Sequence, residues 1–248
     1  MKLQEIFDQL SYGELAMLSI GGQAQGVINE SNYPRILAHV NLGLSALYKR
    51  FNLKEGRVRV KLKPDQYTYV LDSRYLEDNQ RSPEPVKYLT NEPGSNFADD
   101  VLKIESVQVD SGLNLPINQA GASFNLATPS MATLRVPSEI VDKPVGLPRE
   151  YSTESLLVSY RAGHPLLAVP IGYFDPARVE VQLPYSHLEA LMYFVAGRIS
   201  SPSGMTTEER LNNIWFAKFE TACQQLELDN LEIDLGSVNR RLEWGGWV

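Results

Sequence analysis

The sequence predicts an α+β fold: a helical bundle formed by both ends of the chain, with a β-rich insertion between them and an extended C-terminal tail. Apolar residues recur at spacings of three and four only near the two ends of the 248-residue chain, which is the pattern of helices with one buried face. Short β-branched runs fill the middle, and the final segment shows neither pattern. These textures divide the chain into 1–53 and 183–228 for the bundle, 54–182 for the insertion and 229–248 for the tail.

The first part of the bundle is expected to contain a short N-terminal helical segment and one longer helix. Apolar residues recur through 3–18, and a pair of glycines closes that segment. The longer helix covers 33–51 and begins where Ser31 and Asn32 precede Pro34, since a capping side chain followed by proline in the first turn is typical of a helix start. Its apolar stripe consists of Ile36, Val40, Leu44, Leu47 and Phe51.

The closing part of the bundle is expected to be an antiparallel hairpin of two helices. Ser186 with Glu189, and Thr206 with Glu209, match the capping-box spacing of a helix N-terminus. Between the two patterns, the run Ser-Ser-Pro-Ser-Gly at 200–204 interrupts helical periodicity. The first stripe consists of Leu188, Leu191, Met192, Val195 and Ile199, and the second of Leu211, Trp215, Phe219, Ala222 and Leu226.

The insertion is expected to contain short strands joined by long connections. Twelve of the 15 prolines lie between Pro64 and Pro176, and because proline cannot donate to a sheet ladder, this density disfavours a large regular sheet. Short alternating or β-branched runs between the prolines indicate strands. These runs are 57–62, 101–109, 132–136 and 155–160.

The composition is acidic and contains no membrane-spanning pattern. Lys and Arg number 23 against 30 Asp and Glu, giving a net charge of −7, and no basic run occurs. Tight, salt-dependent binding to nucleic acid is therefore disfavoured, although an acidic surface suits a channel through which DNA slides without being gripped. No apolar stretch approaches the ~18–20 residues of a membrane span, and Glu5 lies where a signal peptide would be apolar. We therefore expect no membrane partner, and synthesis or particle assembly in the cytoplasm of the producing cell.

No residue is predicted to be catalytic, cofactor-binding or metal-binding. The histidines are His39, His164 and His187, and none accompanies a Gly-x-Ser-x-Gly elbow or another nucleophile motif. The sequence also lacks phosphate-loop, dinucleotide-binding, zinc-protease and calcium-loop spacings. The lone Cys223 excludes an internal disulfide and is interpreted as a small apolar residue of a helix.

The C-terminal tail carries the most informative residues. Trp244 and Trp247, two of the three tryptophans, lie beside a Gly-Gly pair and after Arg240, Arg241 and Leu242. Large aromatic groups in a terminal segment need an apolar surface to bury them. One interpretation is that the tail packs on its own domain. The other is that it docks into a groove on a partner, where Trp and Arg are enriched among the residues that dominate binding.

The order of these parts resembles that of the head-to-tail adaptor, or connector, proteins of tailed bacteriophages. The likeness lies in the short N-terminal helix, the helix that begins Tyr-Pro-Arg-Ile-Leu-Ala-His-Val-Asn-Leu-Gly at Tyr33, the β-rich insertion and the closing hairpin from Leu188 to Leu226. It covers about half of the chain and is a likeness of architecture. No catalytic signature is part of it.

The resemblance implies a structural role in the virion. Adaptors form a homo-oligomeric ring, usually of twelve copies, that binds the portal protein on one side and the tail tube or nozzle protein on the other. At this head-tail junction, genomic DNA passes through the channel without sequence-specific binding. By position, 229–248 would be the portal-docking segment, with Arg240, Arg241, Leu242, Trp244 and Trp247 as its contact residues.

Two other classes of function stay open at the level of sequence. Another tail component, such as a nozzle, tube or stopper protein, predicts a dominant β core with peripheral terminal helices. A hydrolase or carbohydrate-active enzyme hidden in the insertion predicts a cleft in which carboxylates converge. No spacing of acidic residues in the sequence indicates such a cleft.

Overall fold

The computed structural model describes most of the chain and divides it into two compact units. The described residues are 1–13, 15–16, 28, 30–143, 148–168, 174–200 and 214–229. One unit contains 1–53 and the residues from 166 onward, and the other contains 54–165. The longer helices belong to the first unit and the strands to the second. The mixed α+β class predicted from the sequence is confirmed.

The helices follow one another in a simple order along the chain. Among the described residues they are α1 Leu3–Tyr12, α2 Tyr33–Arg50, α3 Ser138–Val141, α4 Leu188–Ser200 and α5 Ile214–Leu228. Single 3₁₀ turns occur at Ser73–Tyr75, Arg149–Tyr151, Pro176–Arg178 and Tyr185–His187. None of the described helices is long and apolar enough to cross a lipid bilayer.

The longer helices lie close to their predicted positions. α2 begins at Tyr33 and ends one residue before Phe51, and Pro34 occupies its first turn, where proline's fixed backbone angle fits. α5 ends at Leu228, where the helical periodicity of the sequence stops. The predicted beginning of that helix, with the capping pattern at 206–209, lies outside the described residues.

Two predicted capping side chains do not cap their helices, and α1 is a short helix within the predicted segment 3–18, whose end lies outside the described residues. The side chain of Asn32 makes no capping hydrogen bond to α2, and its own backbone is already helical. Ser186 is not an N-cap, because it lies inside the 3₁₀ turn before α4 and its Oγ lies 3.0 Å from Nδ1 of His187. α1 stops at Tyr12, where the N–H of Gly13 bonds to a carbonyl oxygen of the preceding turn at 2.8 Å.

One apolar core unites the helices of the first unit. Its fully buried members include Leu3, Ile6, Leu10, Ile36, Val40, Leu44, Leu47, Leu191, Val195 and Cys223. α2 and α4 approach closely at Gly43, where an added Cβ would lie 2.6 Å from Leu191 Cδ1. A larger residue at this position would therefore force Leu191 to shift within a close-packed core.

The insertion is shorter than the predicted range 54–182. Residues 166–182 belong with the helical unit, because Leu167 and Val181 bury their side chains in its core. The Asn41 side-chain amide donates to the Leu167 carbonyl oxygen at 2.7 Å and accepts from the Leu167 N–H at 3.0 Å. In the sequence, this stretch contains two prolines and one glycine and is indistinguishable from a connection between strands.

The second unit contains two antiparallel sheets. The strands are β1 Glu55–Lys61, β2 Thr68–Val70, β3 Leu89–Asn91, β4 Val101–Val109, β5 Ala127–Ser130, β6 Thr133–Arg135 and β7 Ser155–Ala162. One sheet has the order β3-β1-β7-β4 and the other β2-β6-β5. Val158 lies at the centre of the larger sheet, opposite Val58 of β1 and Val107 of β4. All four predicted strands are confirmed, with ends that differ from the predictions by at most two residues.

Candidate docking region

The predicted portal contacts lie outside the described residues. They are Arg240, Arg241, Leu242, Trp244 and Trp247, all within 230–248. The structure does describe the residues that come immediately before this segment and the part of α2 that they contact. We call the group of Arg50, Glu220, Glu227, Leu228 and Asp229 the tail root.

Arg50, in the last turn of α2, binds two carboxylates of α5. Its Nε donates to Glu227 Oε1 at 2.6 Å, and its Nη1 donates to Glu220 Oε2 at 2.7 Å. The two acids are seven residues apart and therefore lie on one face of α5. These hydrogen bonds, chiefly the one to Glu227, raise the pKa of Arg50, and the same contact lowers the pKa of Glu227. The end of α5 is thus tied to α2 directly before the tail begins.

The last turn of α5 is well formed and carries an exposed apolar side chain. The Asp229 N–H donates to the Gln225 carbonyl oxygen at 2.9 Å, and the Gln225 side-chain amide donates to Asp229 Oδ1 at 2.9 Å. Leu228 is 79% exposed, in a position that follows the buried Leu226 on the opposite side of the helix. The tail root therefore offers apolar surface next to an ordered helix end.

Cys223 lies on the buried face of α5. Its side chain belongs to the helical core, and burial raises the pKa of its thiol to about 11. A thiol at neutral pH in such a site is a poor nucleophile, since the thiolate is the reactive form. The interpretation of Cys223 as a small apolar residue agrees with this position.

Aromatic contacts hold α5 against α4. Phe194 of α4 packs edge-to-face on Phe219, with ring centroids 5.3 Å apart. Lys218 places its Nζ 4.8 Å from the Trp215 ring centroid and 5.4 Å from that of Tyr193, within the range of a cation–π interaction. Trp215 is therefore used within the helical unit, in contrast to the docking role predicted for the two tryptophans of the tail.

The three histidines occupy separate positions. His187 is buried against Phe51 with ring centroids 4.8 Å apart, and burial lowers its pKa. The described residues place Ser186 beside it but no carboxylate on its imidazole. His164 belongs to the β-rich unit, where its Nδ1 lies 2.6 Å from the Pro165 carbonyl oxygen. His39 lies on α2, and its buried Nδ1 has no hydrogen-bond partner among the described residues.

Two acidic side chains of the β-rich unit, Glu92 and Asp110, share one arginine. Arg59 of β1 donates to Glu92 Oε1 at 2.6 Å and to Asp110 Oδ1 at 2.8 Å. Asp110 also accepts hydrogen bonds from the hydroxyls of Thr153 and Ser155 at 2.6 and 2.8 Å. Burial opposes the charged form of Asp110, but these hydrogen bonds outweigh it and lower the pKa. These contacts hold the ends of neighbouring strands together. They keep Glu92 and Asp110 in use as hydrogen-bond acceptors, so neither is available as a catalytic acid.

Within the described part of the chain, no group of three or more His, Cys, Asp or Glu side chains could hold a metal ion. Comparison with known proteins adds no family: no protein-family model matches the chain, and no curated protein is significantly similar to it. The function of this region therefore has to be inferred from its own residues.

The sequence analysis missed the two bonds from Arg50 to Glu220 and Glu227. These acids lie 170 and 177 positions from Arg50 along the chain, and no local pattern pairs residues so far apart.

Proposed function

We propose that this protein is a structural component of a tailed-phage virion, the head-to-tail adaptor, and that it is not an enzyme. It would form a ring, with twelve as the usual copy number, beneath the portal protein and connect the DNA-filled head to a tail tube or nozzle protein. One observation carries the proposal. Both ends of the chain contribute helices to a single core, while the β-rich unit interrupts that helical unit in the sequence.

Long-range polar contacts support the idea that the two chain ends act as one ring-forming bundle. Tyr185 donates from its hydroxyl to Glu5 Oε2 at 2.7 Å, across 180 residues of sequence. Lys2 pairs with Glu180 at 2.8 Å. A rigid bundle of this kind is the part of an adaptor that would contact neighbouring copies, and rigid surfaces bind with little entropic cost.

The tail root supports the docking assignment for 229–248. A docking segment gains affinity when the chain directly before it is already held in place, because that part need not be immobilised on binding. Arg50 supplies that fixed point through its bonds to Glu220 and Glu227. We propose that Arg240, Arg241, Leu242, Trp244 and Trp247 then contact the portal protein, with the two indoles as anchors.

The charge of the chain supports a passive relation to DNA. An excess of seven negative charges disfavours tight binding of phosphate, which is what a conduit for genomic DNA requires. We propose that DNA passes through the ring without sequence-specific contacts and that the protein resides at the head-tail junction of the virion.

The alternative functions gain less support. A nozzle, tube or stopper protein predicts peripheral terminal helices, whereas the helical unit has an extensive buried core of its own. A hydrolase predicts converging free carboxylates in the β-rich unit, whereas Glu92 and Asp110 are bound by Arg59.

The proposal is tested by measuring particle mass for the purified chain alone and after mixing with candidate portal rings. An adaptor is expected to stay a small species alone and to add many copies to each portal ring. Portal rings with tails already attached provide the control, since their binding site is occupied. A chain that adds no mass to any free portal ring, or that adds equally to tailed ones, would contradict the proposal.

A further inference from the structure

Three basic side chains, Arg35 and His39 of α2 and Arg198 of α4, have no acidic partner among the described residues. Arg35 and His39 are one turn apart on α2, and Arg198 lies in the last turn of α4. In the described part of the chain, no carboxylate forms an ion pair or hydrogen bond with any of the three. This absence is unusual in a chain that has more acidic than basic residues.

The crossing of α2 and α4 brings the three groups together. Phe51, just after α2, packs on His187, just before α4, and Gly43 faces Leu191 and Phe194. The two helices are therefore antiparallel. His39 lies one turn before Gly43 on α2, and Arg198 lies one turn after Phe194 on α4. Because the helices are antiparallel, these two steps lead in the same direction, and the imidazole and the guanidinium lie on facing surfaces.

Two buried nitrogen atoms in this group have no hydrogen-bond partner. They are Nδ1 of His39 and Nε of Arg198. A buried polar atom without a partner costs about 1–3 kcal/mol, so such atoms in a native structure call for an explanation. The negative end of the α4 dipole favours a cation in its last turn, but it gives neither nitrogen an acceptor.

The charges around His39 also favour a bound anion. Burial lowers the pKa of His39, and the positive charges of Arg198 and Arg35 lower it further. Arg35 faces His39 from its own helix and Arg198 faces it from α4, and both carry positive charge. In the described part of the chain, the group therefore holds positive charge that no carboxylate balances.

We infer that Arg35, His39 and Arg198 form a binding site for one oxyanion, a phosphate or a carboxylate group. Arg35 is exposed and forms the entrance, whereas Arg198 is half-buried and contributes the unpartnered Nε. Guanidinium groups match the planar pairs of oxygens that both anions present. Inorganic phosphate in solution and a carboxylate on a second copy of this acidic chain share this chemistry. The inference does not depend on the proposed function.

The test follows the imidazole signals of the full chain labelled with ¹⁵N-histidine, as a function of pH, with His39 assigned from the His39→Gln variant. Inorganic phosphate, added at low protein concentration, is expected to raise the pKa of His39 by about 1 or more, since a nearby anion favours the charged form. The pKa of His187 should not respond. Arg198→Gln should abolish the effect, and Arg178→Gln should preserve it, because Arg178 is an exposed arginine of the same unit that pairs with Asp175.

A second arm identifies a carboxylate source. Without phosphate, the pKa of His39 is measured as protein concentration rises together with the mass of the species in solution. A rise that accompanies self-association and that phosphate reverses supports a carboxylate from a second copy. Arg198→Gln is expected to unfold at an equal or higher temperature than the wild type, because it removes a buried cation that has no partner. A pKa of His39 that responds to neither phosphate nor concentration would overturn the site.

Discussion

Asn41 and Leu167 are joined by two hydrogen bonds that run in opposite directions. The side-chain amide of Asn41 donates to the carbonyl oxygen of Leu167 and accepts from its N–H, although 126 residues separate them in the sequence. In this pair, the side-chain amide of Asn41 takes the place that the backbone of a neighbouring strand has in a β-sheet. It satisfies the backbone of a segment that has no regular secondary structure, and so fixes residues 166–168 on α2.

Asn41→Ala is expected to lower the free energy of unfolding by about 1–3 kcal/mol, because the substitution leaves two partly buried backbone groups of Leu167 without partners. Chemical denaturation measures the effect. Gln4→Ala serves as the control, since the Gln4 amide donates to Asp8 on an exposed face of α1. Equal losses in the two variants would show that the Asn41 pair contributes no more than a surface contact.

Gly43→Ala is expected to destabilise the protein by about 1–3 kcal/mol through overpacking. The added methyl group would lie 2.6 Å from Leu191 Cδ1 and 3.1 Å from Phe194 Cδ1. Leu191→Val removes the δ carbon, so the double variant should be more stable than the sum of the two single losses predicts. Strict additivity in thermal or chemical unfolding would mean that α2 and α4 separate freely at this point.

Glu227→Gln is expected to lower stability at pH 7 and to have little effect at a pH well below 4.5. Arg50 lowers the pKa of Glu227 from its ordinary value of 4.5, so the ion pair stabilises the fold above that pH and is lost as pH falls through the folded-state pKa. Denaturation curves at several pH values measure this difference. The exposed Glu30→Gln variant is the control, and a Glu227 effect independent of pH would contradict the charge-based account.

Cys223 is expected to react slowly with a thiol reagent in the native protein and rapidly after unfolding. Burial both blocks access and raises the thiol pKa to about 11, so little thiolate exists at neutral pH. The rate of colour release from a disulfide reagent, with and without denaturant, checks this expectation. A fast reaction in native conditions would mean that α5 opens readily from the helical core.

Local patterns predicted most of the regular structure. The apolar stripe of α2 and the alternation in β4 depend on neighbours a few residues away, so they are visible in the sequence. Residues 166–182 were misassigned because they have no periodicity, and only the burial of Leu167 and Val181 in the helical core decides where they belong. Contacts of this kind depend on the whole fold.

In the candidate site, too, local features could be predicted from the sequence and long-range contacts could not. Clustered tryptophans and arginines in the tail predict a docking segment from composition alone, and its contacts stay a prediction. The clamp of Arg50 and the facing of His39 and Arg198 have no sequence signal, because each joins residues on helices that meet only in three dimensions. The seven-residue spacing of Glu220 and Glu227 places both on one face of a helix, which could have suggested that they bind the same basic side chain. It could not have identified that side chain as Arg50.

Deleting residues 242–248 is expected to leave a folded chain that no longer joins portal-bearing heads. The described members of the helical core and the tail root all precede this segment, so thermal unfolding should be unchanged. Truncating an interfacial hot spot costs about 2 kcal/mol or more, and the loss is multiplied when many copies in a ring bind together. Attachment is measured by sedimentation of labelled protein with heads that lack tails.

Substitutions separate the anchors from the rest of the tail. Trp244→Ala with Trp247→Ala should reproduce the deletion, because burial of indole surface is the proposed source of the binding energy. Tyr12→Ala is the matched control, since Tyr12 is an exposed aromatic residue of α1, and it should bind normally. If the double tryptophan variant binds as well as the control while its unfolding temperature falls, the indoles pack within the chain, and the portal-docking assignment is wrong.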